Sequence, residues 1–248
     1  MSDFRKLVDS KVGRGATFEL YDVSRHDRIT DRRMHLGRQL KITLSGGAAA
    51  LEPGALQYSL GHLTAEVQKN DSKAGFFRRQ IQSAGTGESA FSTLFRGHGQ
   101  VWTELTHKHF IIAEMDGPDD ALLLDDKAFY ACEGSIRLST HMHTNVSAIL
   151  SGMAQGNGMM QPKLEGSGVF VVESPVPVDE IEAVELDGTN ELVVDGDLML
   201  MYSANLQVQL RPLVSGMRNA LRSGEGMVFV LKGRGTAWLL PTSRIASA

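Results

Sequence analysis

The sequence lacks the features that define several common protein classes. Its 248 residues include a single cysteine, Cys132, so neither an intrachain disulfide nor a cysteine-based zinc cluster can form. One cysteine also fits a reducing compartment. No stretch approaches the roughly 18 consecutive apolar residues of a membrane-spanning helix. The first residues include acidic side chains and have no apolar core of the kind a secretory signal needs. We therefore expect a cytoplasmic protein.

Positive charge is scarce outside the first part of the chain. The net charge is −4, yet residues 1–44 hold 10 Lys and Arg against 6 Asp and Glu, which leaves the remainder acidic. An acidic body repels phosphate backbones, so a nucleic-acid partner is not expected unless the early arginines gather on one face. We expect residues 1–33 to form a solvated, partly flexible N-terminal segment.

Complete catalytic signatures are absent as well. No glycine pair extends to GxGxxG, and neither GxxxxGK[ST] nor GxSxG occurs. Cys132 lies in the apolar run AFYAC and is predicted to be a small core residue. The acidic doublets near residues 119 and 125 lack EF-hand spacing. We predict a protein that is not an enzyme, without catalytic, cofactor-binding or metal-binding residues.

Glycine, by contrast, is abundant, with 26 residues, and it recurs in a pattern. Six GxG pairs fall into three couples spaced by about 70 residues, and a further pair stands apart at Gly13 and Gly15. Because glycine tolerates positive φ, each pair in a couple is predicted to be a turn between strands. The couples are Gly85/Gly87 with Gly97/Gly99, Gly156/Gly158 with Gly166/Gly168, and Gly224/Gly226 with Gly233/Gly235.

An alternating stretch precedes each couple, namely residues 63–67, 136–140 and 206–210, and its period of two predicts a strand with one buried face. Between strand and couple, apolar residues at helical spacing predict one short helix per repeat, near residues 77–84, 146–153 and 213–221. We predict a mainly β domain over residues 34–241, built from three pseudo-repeats (about 34–106, 107–173 and 174–241) and followed by a tail at 242–248.

The runs GALQYSLGHLTAEV, GTGESAFSTLFRGHGQVW and LDGTNELVVDGDLMLMYSANLQVQL resemble the altered inheritance of mitochondria protein 24 family, as does SGMRNALRSGEGMVFVLKGRGTAWLLP. The resemblance covers about residues 34–241. It implies a bacterial protein of the tryptophan RNA-binding attenuator protein-like superfamily, with a double-stranded β-helix or β-barrel-like fold in repeated units. It supplies no catalytic or ligand-binding residues.

One metal-site alternative comes from His107, His109 and Glu114, since HxHx4E resembles the first metal motif of cupins. If His107 and His109 lay on a strand, both imidazoles would face the same side. Neighbouring glycines do not stand at the cupin distances, and a second motif with the remaining histidine is missing. Polar residues on the wet face of a strand are the preferred interpretation.

These observations favour a non-enzymatic scaffold or interaction protein that acts through protein–protein contacts, and a homo-oligomer is one form that such contacts would take. A small-molecule-binding, or less favourably RNA-binding, attenuator-protein-like module is the first alternative, and the cupin-like site is the second. Peripheral contact with an anionic membrane is a further hypothesis, because Phe76 and Phe77 precede Arg78 and Arg79.

Overall fold

The structure, a computed structural model, describes residues 4–69, 90–117, 119–142, 160–212 and 227–241. The chain divides into two compact units. The first comprises Met1–Asp120, Phe129–Leu138 and Glu165–Val178, and the second comprises Ala121–Ala128, Ser139–Leu164 and Asp179–Ala248. The described residues are mainly β-strand and include two short 3-10 turns, Val178–Glu180 and Gly196–Leu198, but no α-helix. The mainly β prediction is confirmed.

In the described part of the first unit, eight strands form one antiparallel sheet with the path β1-β2-β3-β8-β11-β6, from which β5 and β4 branch off at β3. The strands are β1 (Arg5–Val12), β2 (Ala16–Asp27), β3 (Arg32–Leu51), β4 (Leu56–Lys69), β5 (Ala90–Thr103), β6 (His109–Met115), β8 (Phe129–Glu133) and β11 (Gly168–Ser174). Its core packs aromatic and aliphatic side chains from β2, β3, β5, β6, β8 and β11, with Phe18, Leu40 and Val169 fully buried.

The long strand β3 changes partners along one edge. That edge pairs with β2 as far as Leu44, which lies opposite Ala16, and with β8 from Ala49 to Leu51. Its other edge pairs with β5 from Lys41 to Leu51. The interruption between β2 and β8 coincides with a bulge between Ser45 and Ala48. It opens a gap in the sheet at this point.

The second sheet follows the path β12-β15-β13-β7-β10-β9, and β14 pairs with β15 beside that path, which makes seven strands in the described residues. The strands are β7 (Ala121–Leu124), β9 (Arg137–Met142), β10 (Met160–Glu165), β12 (Glu182–Val194), β13 (Met199–Ser203), β14 (Gln207–Pro212) and β15 (Met227–Leu239). Along β14, Val208 and Leu210 are buried while Gln207 and Gln209 are exposed, so the predicted alternation is confirmed there.

The predicted glycine turns are wrong for the second pairs of the first and third couples. Gly97 and Gly233 lie inside the continuous strands β5 and β15, while the segment from Gly166 to Gly168 joins β10 to β11, which belong to different sheets. The pair that stood apart does form a hairpin turn, in which the Gly13 N–H donates to the Ala16 carbonyl at 2.8 Å between β1 and β2. The first pairs, the three predicted helices and the tail at 242–248 lie outside the described residues.

The second glycine pairs nevertheless share one geometry. Gly97, Gly166 and Gly233 have φ of +124°, +112° and +112°, and their neighbouring atoms include the carbonyl oxygens of His62, Ser135 and Asn205 respectively. Each of those carbonyls immediately precedes an apolar residue, Leu63, Ile136 or Leu206. The later glycine of each pair, Gly99, Gly168 or Gly235, lies against Leu60, Glu133 or Ser203. Gly97, Gly166 and Gly233 therefore all supply a positive φ, and at Gly97 the glycine also lets the neighbouring backbone approach closely.

The N-terminal segment is part of the first sheet. Residues 5–12 form β1, residues 16–27 form β2, and β3 begins at Arg32. Phe18, Leu20 and Val23 are buried, and this burial overrides the expectation of a flexible segment that was drawn from charge alone.

Candidate functional site

A cavity of about 440 Å³ lies in the first unit at the gap between β2 and β8. Its walls come from the β1–β2 turn, the bulge of β3, the exposed side of β5 and the end of β8. The Ser45 N–H donates to the Gly15 carbonyl at 3.1 Å, and the Gly134 N–H donates to the Ala48 carbonyl at 2.8 Å. These two bonds close the gap above and below, so the cavity is a consequence of the change of partner along β3.

Glu133 is the buried charged group of this cavity. The residue is only 3% exposed, at the end of β8. Its carboxylate accepts the Gly15 N–H at 3.3 Å and the Val169 N–H at 3.0 Å, so it links the β1–β2 turn to β11. Glu133 is the residue that lies against Gly168, and the equivalent neighbours of Gly99 and Gly235 are Leu60 and Ser203. A buried carboxylate occurs at one of them.

Glycines make room for that carboxylate. A Cβ on Gly13 would overlap the carboxyl group of Glu133, and one on Gly168 would come within 2.7 Å of Glu133 Oε2. Gly15 and Gly47 pass so closely that a Cβ on Gly47 would overlap the Gly15 carbonyl. The glycines at this site are required by close packing, which spacing along the sequence does not reveal.

The rim of the cavity carries cations and hydroxyls. Arg14, Arg96, Ser45 and Ser135 line it and are exposed. Among the described residues, no salt bridge joins Glu133 to either arginine. The arrangement offers a buried carboxylate at depth and two guanidinium groups at the mouth, which is complementary to a small molecule that carries both charge signs.

A second feature of the first unit is the edge strand β4. Over 14 residues β4 pairs with β5 and with no other strand in the described part of the chain. Leu56, Tyr58, Leu60 and Val67 are all exposed on it, Leu60 by 65%. Two side chains of β4 contact the rest of the unit. Leu63 packs on the core, and the ring of Tyr58 stacks on Trp102 with 6.0 Å between the ring centroids. Among the described residues, the strand is thus paired along one side and open along the other.

A third cluster surrounds Glu52, next to β3. Burial, reinforced by the negative charge of Glu173, raises the pKa of Glu52 to about 7, and the positive charge of Lys108 opposes the shift. Lys108 forms a salt bridge with the nearly buried Glu173. Burial likewise raises the pKa of Tyr130. The cluster contains one carboxyl group that changes charge near neutral pH.

The residues of the cupin-like alternative are not brought together. His107 lies in a bend before β6, whereas His109 and Glu114 lie within β6, five residues apart and therefore on opposite faces of the strand. Glu114 forms a salt bridge of 3.2 Å with Lys11. In the part of the chain that is described, no group of three or more His, Cys, Asp or Glu side chains could hold a metal ion.

Other residues singled out in the sequence have local roles. Cys132 is fully buried, which raises the pKa of its thiol to about 12. Asp120 accepts the N–H groups of Asp116 and Gly117, and Asp125 accepts that of Lys127, so both stabilise turns. The segment from Phe76 to Arg79 lies outside the described residues.

The site residues missed from the sequence are Glu133, Arg14 and Arg96. They lie far apart in the sequence, at positions 14, 96 and 133. They meet because the elements that carry them border the same stretch of β3. The one local signal was the glycine on each side of Arg14 and the glycine after Glu133. Without the strand order, those glycines cannot be connected.

Comparisons with known proteins agree with this fold. The sequence model of the family described as mitochondrial biogenesis AIM24 matches residues 33–242. The crystal structure of a protein from Streptococcus pyogenes is similar, with a TM-score of 0.59 and 20% identity over 90% of this chain and 94% of that one. No curated protein matches the sequence. Among the described residues, no helix is long and apolar enough to cross a membrane.

Proposed function

The chain belongs to the AIM24 family, whose biochemical role is uncharacterised, and we propose that it is a non-enzymatic interaction protein that acts through protein–protein contacts. The open edge of β4 is the observation that carries this proposal. A long strand with unpaired backbone groups on one side is a template for a further strand. The occupant that we propose is β4 of a second copy, which would make the protein a homo-oligomer.

The composition of β4 supports an edge that is covered in the working protein. Natural edge strands that remain in water are usually short or carry Lys or Pro. β4 is 14 residues long, and it has no proline and no lysine before its last residue. Leu60, near its middle, is exposed by 65%. Pairing of two copies would satisfy the unpaired backbone groups and would bring apolar side chains of the two β4 strands beside each other, which covers part of their surface.

The three pseudo-repeats are part of the same proposal. The matching environments of Gly97, Gly166 and Gly233 support a threefold repeat within a β-helix or β-barrel-like fold. We also propose a cytoplasmic location, which the buried thiol of Cys132, without a disulfide partner, supports.

Native mass spectrometry tests the proposed contact. We expect the wild-type chain, with a monomer mass of 27.0 kDa, to form an oligomer that Leu60→Lys disrupts, because a charge at the edge must lose its water on pairing. Val178→Lys is the matched control, since Val178 is similarly exposed and lies in a 3-10 turn that is not part of a strand. A monomeric wild type, or an oligomer that survives Leu60→Lys, would contradict the proposal.

A second candidate function is the binding of a small molecule, which the cavity at Glu133 favours. The guanidinium groups of Arg14 and Arg96 would bind an anionic group, and the carboxylate of Glu133 would accept hydrogen bonds from a cationic group. Native mass spectra would then show a small adduct that is retained by the folded protein and reduced in Arg14→Gln/Arg96→Gln. Spectra without an adduct, in protein prepared without dialysis, would count against this function.

A further inference from the structure

The hairpin of β2 and β3 continues beyond its neighbouring strands. Pairing of β1 with β2 ends at Val23, and pairing of β5 with β3 begins at Lys41. The intervening residues 24–27 and 32–35 pair with each other, and within the described part of the chain no third strand is added to them. Residues 24–36 therefore form a two-stranded extension, which we name the arginine ribbon.

The arginine ribbon is a basic element on an acidic protein. It contains four arginines and two aspartates, a net charge of +2, on a chain whose total is −4. The four arginines are exposed: Arg25, Arg28, Arg32 and Arg33. Both aspartates are engaged within the ribbon, since Asp27 accepts two local hydrogen bonds and Asp31 lies 3.0 Å from His26. The arginines therefore dominate what the ribbon presents to a partner.

The tip of the ribbon presents an apolar side chain. Asp27 accepts the Ile29 N–H at 3.0 Å and the Thr30 hydroxyl at 2.7 Å, which holds the turn in one conformation. Asp31 takes a left-handed φ of 52° and returns the chain to β3. Ile29 at this tip is 95% exposed. An isoleucine on a hydrogen-bonded turn gains nothing from packing within its own chain.

Both faces of the ribbon combine this apolar tip with cationic groups. Opposed residues in an antiparallel pair share a face, so Arg25 lies beside the exposed Met34, and His26 lies beside Arg33 on the other face. Arginines thus surround Ile29 whichever way the ribbon approaches a surface. Arginine side chains can bind phosphate groups while their aliphatic stems remain in apolar surroundings.

We propose that the arginine ribbon docks on the anionic surface of a lipid bilayer, with Ile29 inserted at the level of the headgroups. Lipid phosphates satisfy the arginines, and the boundary between headgroups and acyl chains accepts the isoleucine. A nucleic acid would satisfy the arginines but would leave Ile29 in water, whereas a bilayer accommodates both. This docking does not depend on pairing at β4.

Sedimentation with vesicles tests the proposal. The probes are vesicles of phosphatidylcholine with about a third of phosphatidylglycerol, and vesicles of phosphatidylcholine alone. We expect the full chain to bind the anionic vesicles and to dissociate as salt is added. Arg28→Gln/Arg32→Gln should weaken binding about 25-fold, at about fivefold for each charge near the surface. Ile29→Ser should weaken it roughly tenfold through the loss of apolar burial.

Two controls make the result specific to the ribbon. Lys127→Gln/Arg234→Gln removes two exposed positive charges elsewhere and should leave binding within about twofold. All substituted side chains are exposed, so circular dichroism should confirm that the variants fold. The proposal is overturned if the full chain does not bind anionic vesicles, or if Ile29→Ser binds as the wild type does. It is equally overturned if RNA displaces the protein from vesicles and binds Ile29→Ser with unchanged affinity.

Discussion

Packing of Gly13 against the carboxylate of Glu133 permits a sharp test of the cavity geometry. The proposed perturbation is Gly13→Ala. The new methyl group would overlap a carboxylate that two N–H groups hold in place. The carboxylate must then move away from Gly15 or Val169. Hydrogen bonds to a charged group contribute about 1.5–3 kcal/mol each, so weakening one of them and crowding the site should cost about 2 kcal/mol.

The same substitution should lose its effect when the carboxylate is absent. Glu133→Ala removes both hydrogen bonds and should itself cost about 3 kcal/mol. In that background the methyl group of Gly13→Ala enters the vacated space. There it should be neutral or stabilising by about 0.5 kcal/mol, because alanine restricts the unfolded chain more than glycine does. The two substitutions should therefore be coupled by about 2 kcal/mol.

Urea unfolding of the four proteins measures this coupling. The chain has two tryptophans, and a Trp238→Phe background leaves Trp102 in β5 as the fluorescent reporter for the first unit. Each free energy of unfolding then refers to the unit that contains the cavity. Equal destabilisation by Gly13→Ala with and without Glu133 would show that the carboxylate does not occupy the space assigned to it.

Three further predictions concern single buried groups. Because the folded protein raises the pKa of Glu52 from 4.5 to about 7, stability should fall by about 3 kcal/mol as pH rises from about 4.5 through 7, and Glu52→Gln should abolish this fall. Urea unfolding at about pH 5 and pH 8 measures the change. If the free energy of unfolding depends on pH in Glu52→Gln as it does in the wild type, Glu52 is not the group responsible. Cys132 should react with an aromatic disulfide reagent only on unfolding, so rapid labelling of native protein would contradict its burial. Tyr202→Phe should cost about 1–2 kcal/mol, since the tyrosine hydroxyl donates to the buried Gln161 at 2.5 Å. Thermal melts that match the wild type would show that this bond contributes nothing.

The family and the mainly β fold could be predicted because they depend on local patterns. The alternation of Leu206, Val208 and Leu210 indicates a half-buried strand, and β14 has that burial. The predicted turns at Gly97 and Gly233 were wrong because positive φ serves equally in a turn and at a close approach between strands. Sequence spacing cannot separate these two uses, since the approaching backbone belongs to another strand.

The candidate site could not be predicted, because its members are joined by strand order. Glu133 directly follows the apolar run AFYAC, and its environment depends on β8 following β2 along one edge of β3. His109 and Glu114 are the opposite case, in which the sequence suggests a site that the structure does not form. Their spacing resembles a metal motif, yet five residues along a strand place them on opposite faces.

The measurement that tests the central proposal most directly is the native mass of the wild-type chain beside Leu60→Lys and Val178→Lys. If β4 is an interaction edge, the wild type and Val178→Lys should share an oligomeric mass, and Leu60→Lys should shift toward 27.0 kDa. One mass common to all three proteins would contradict the assignment of β4 as the contact surface.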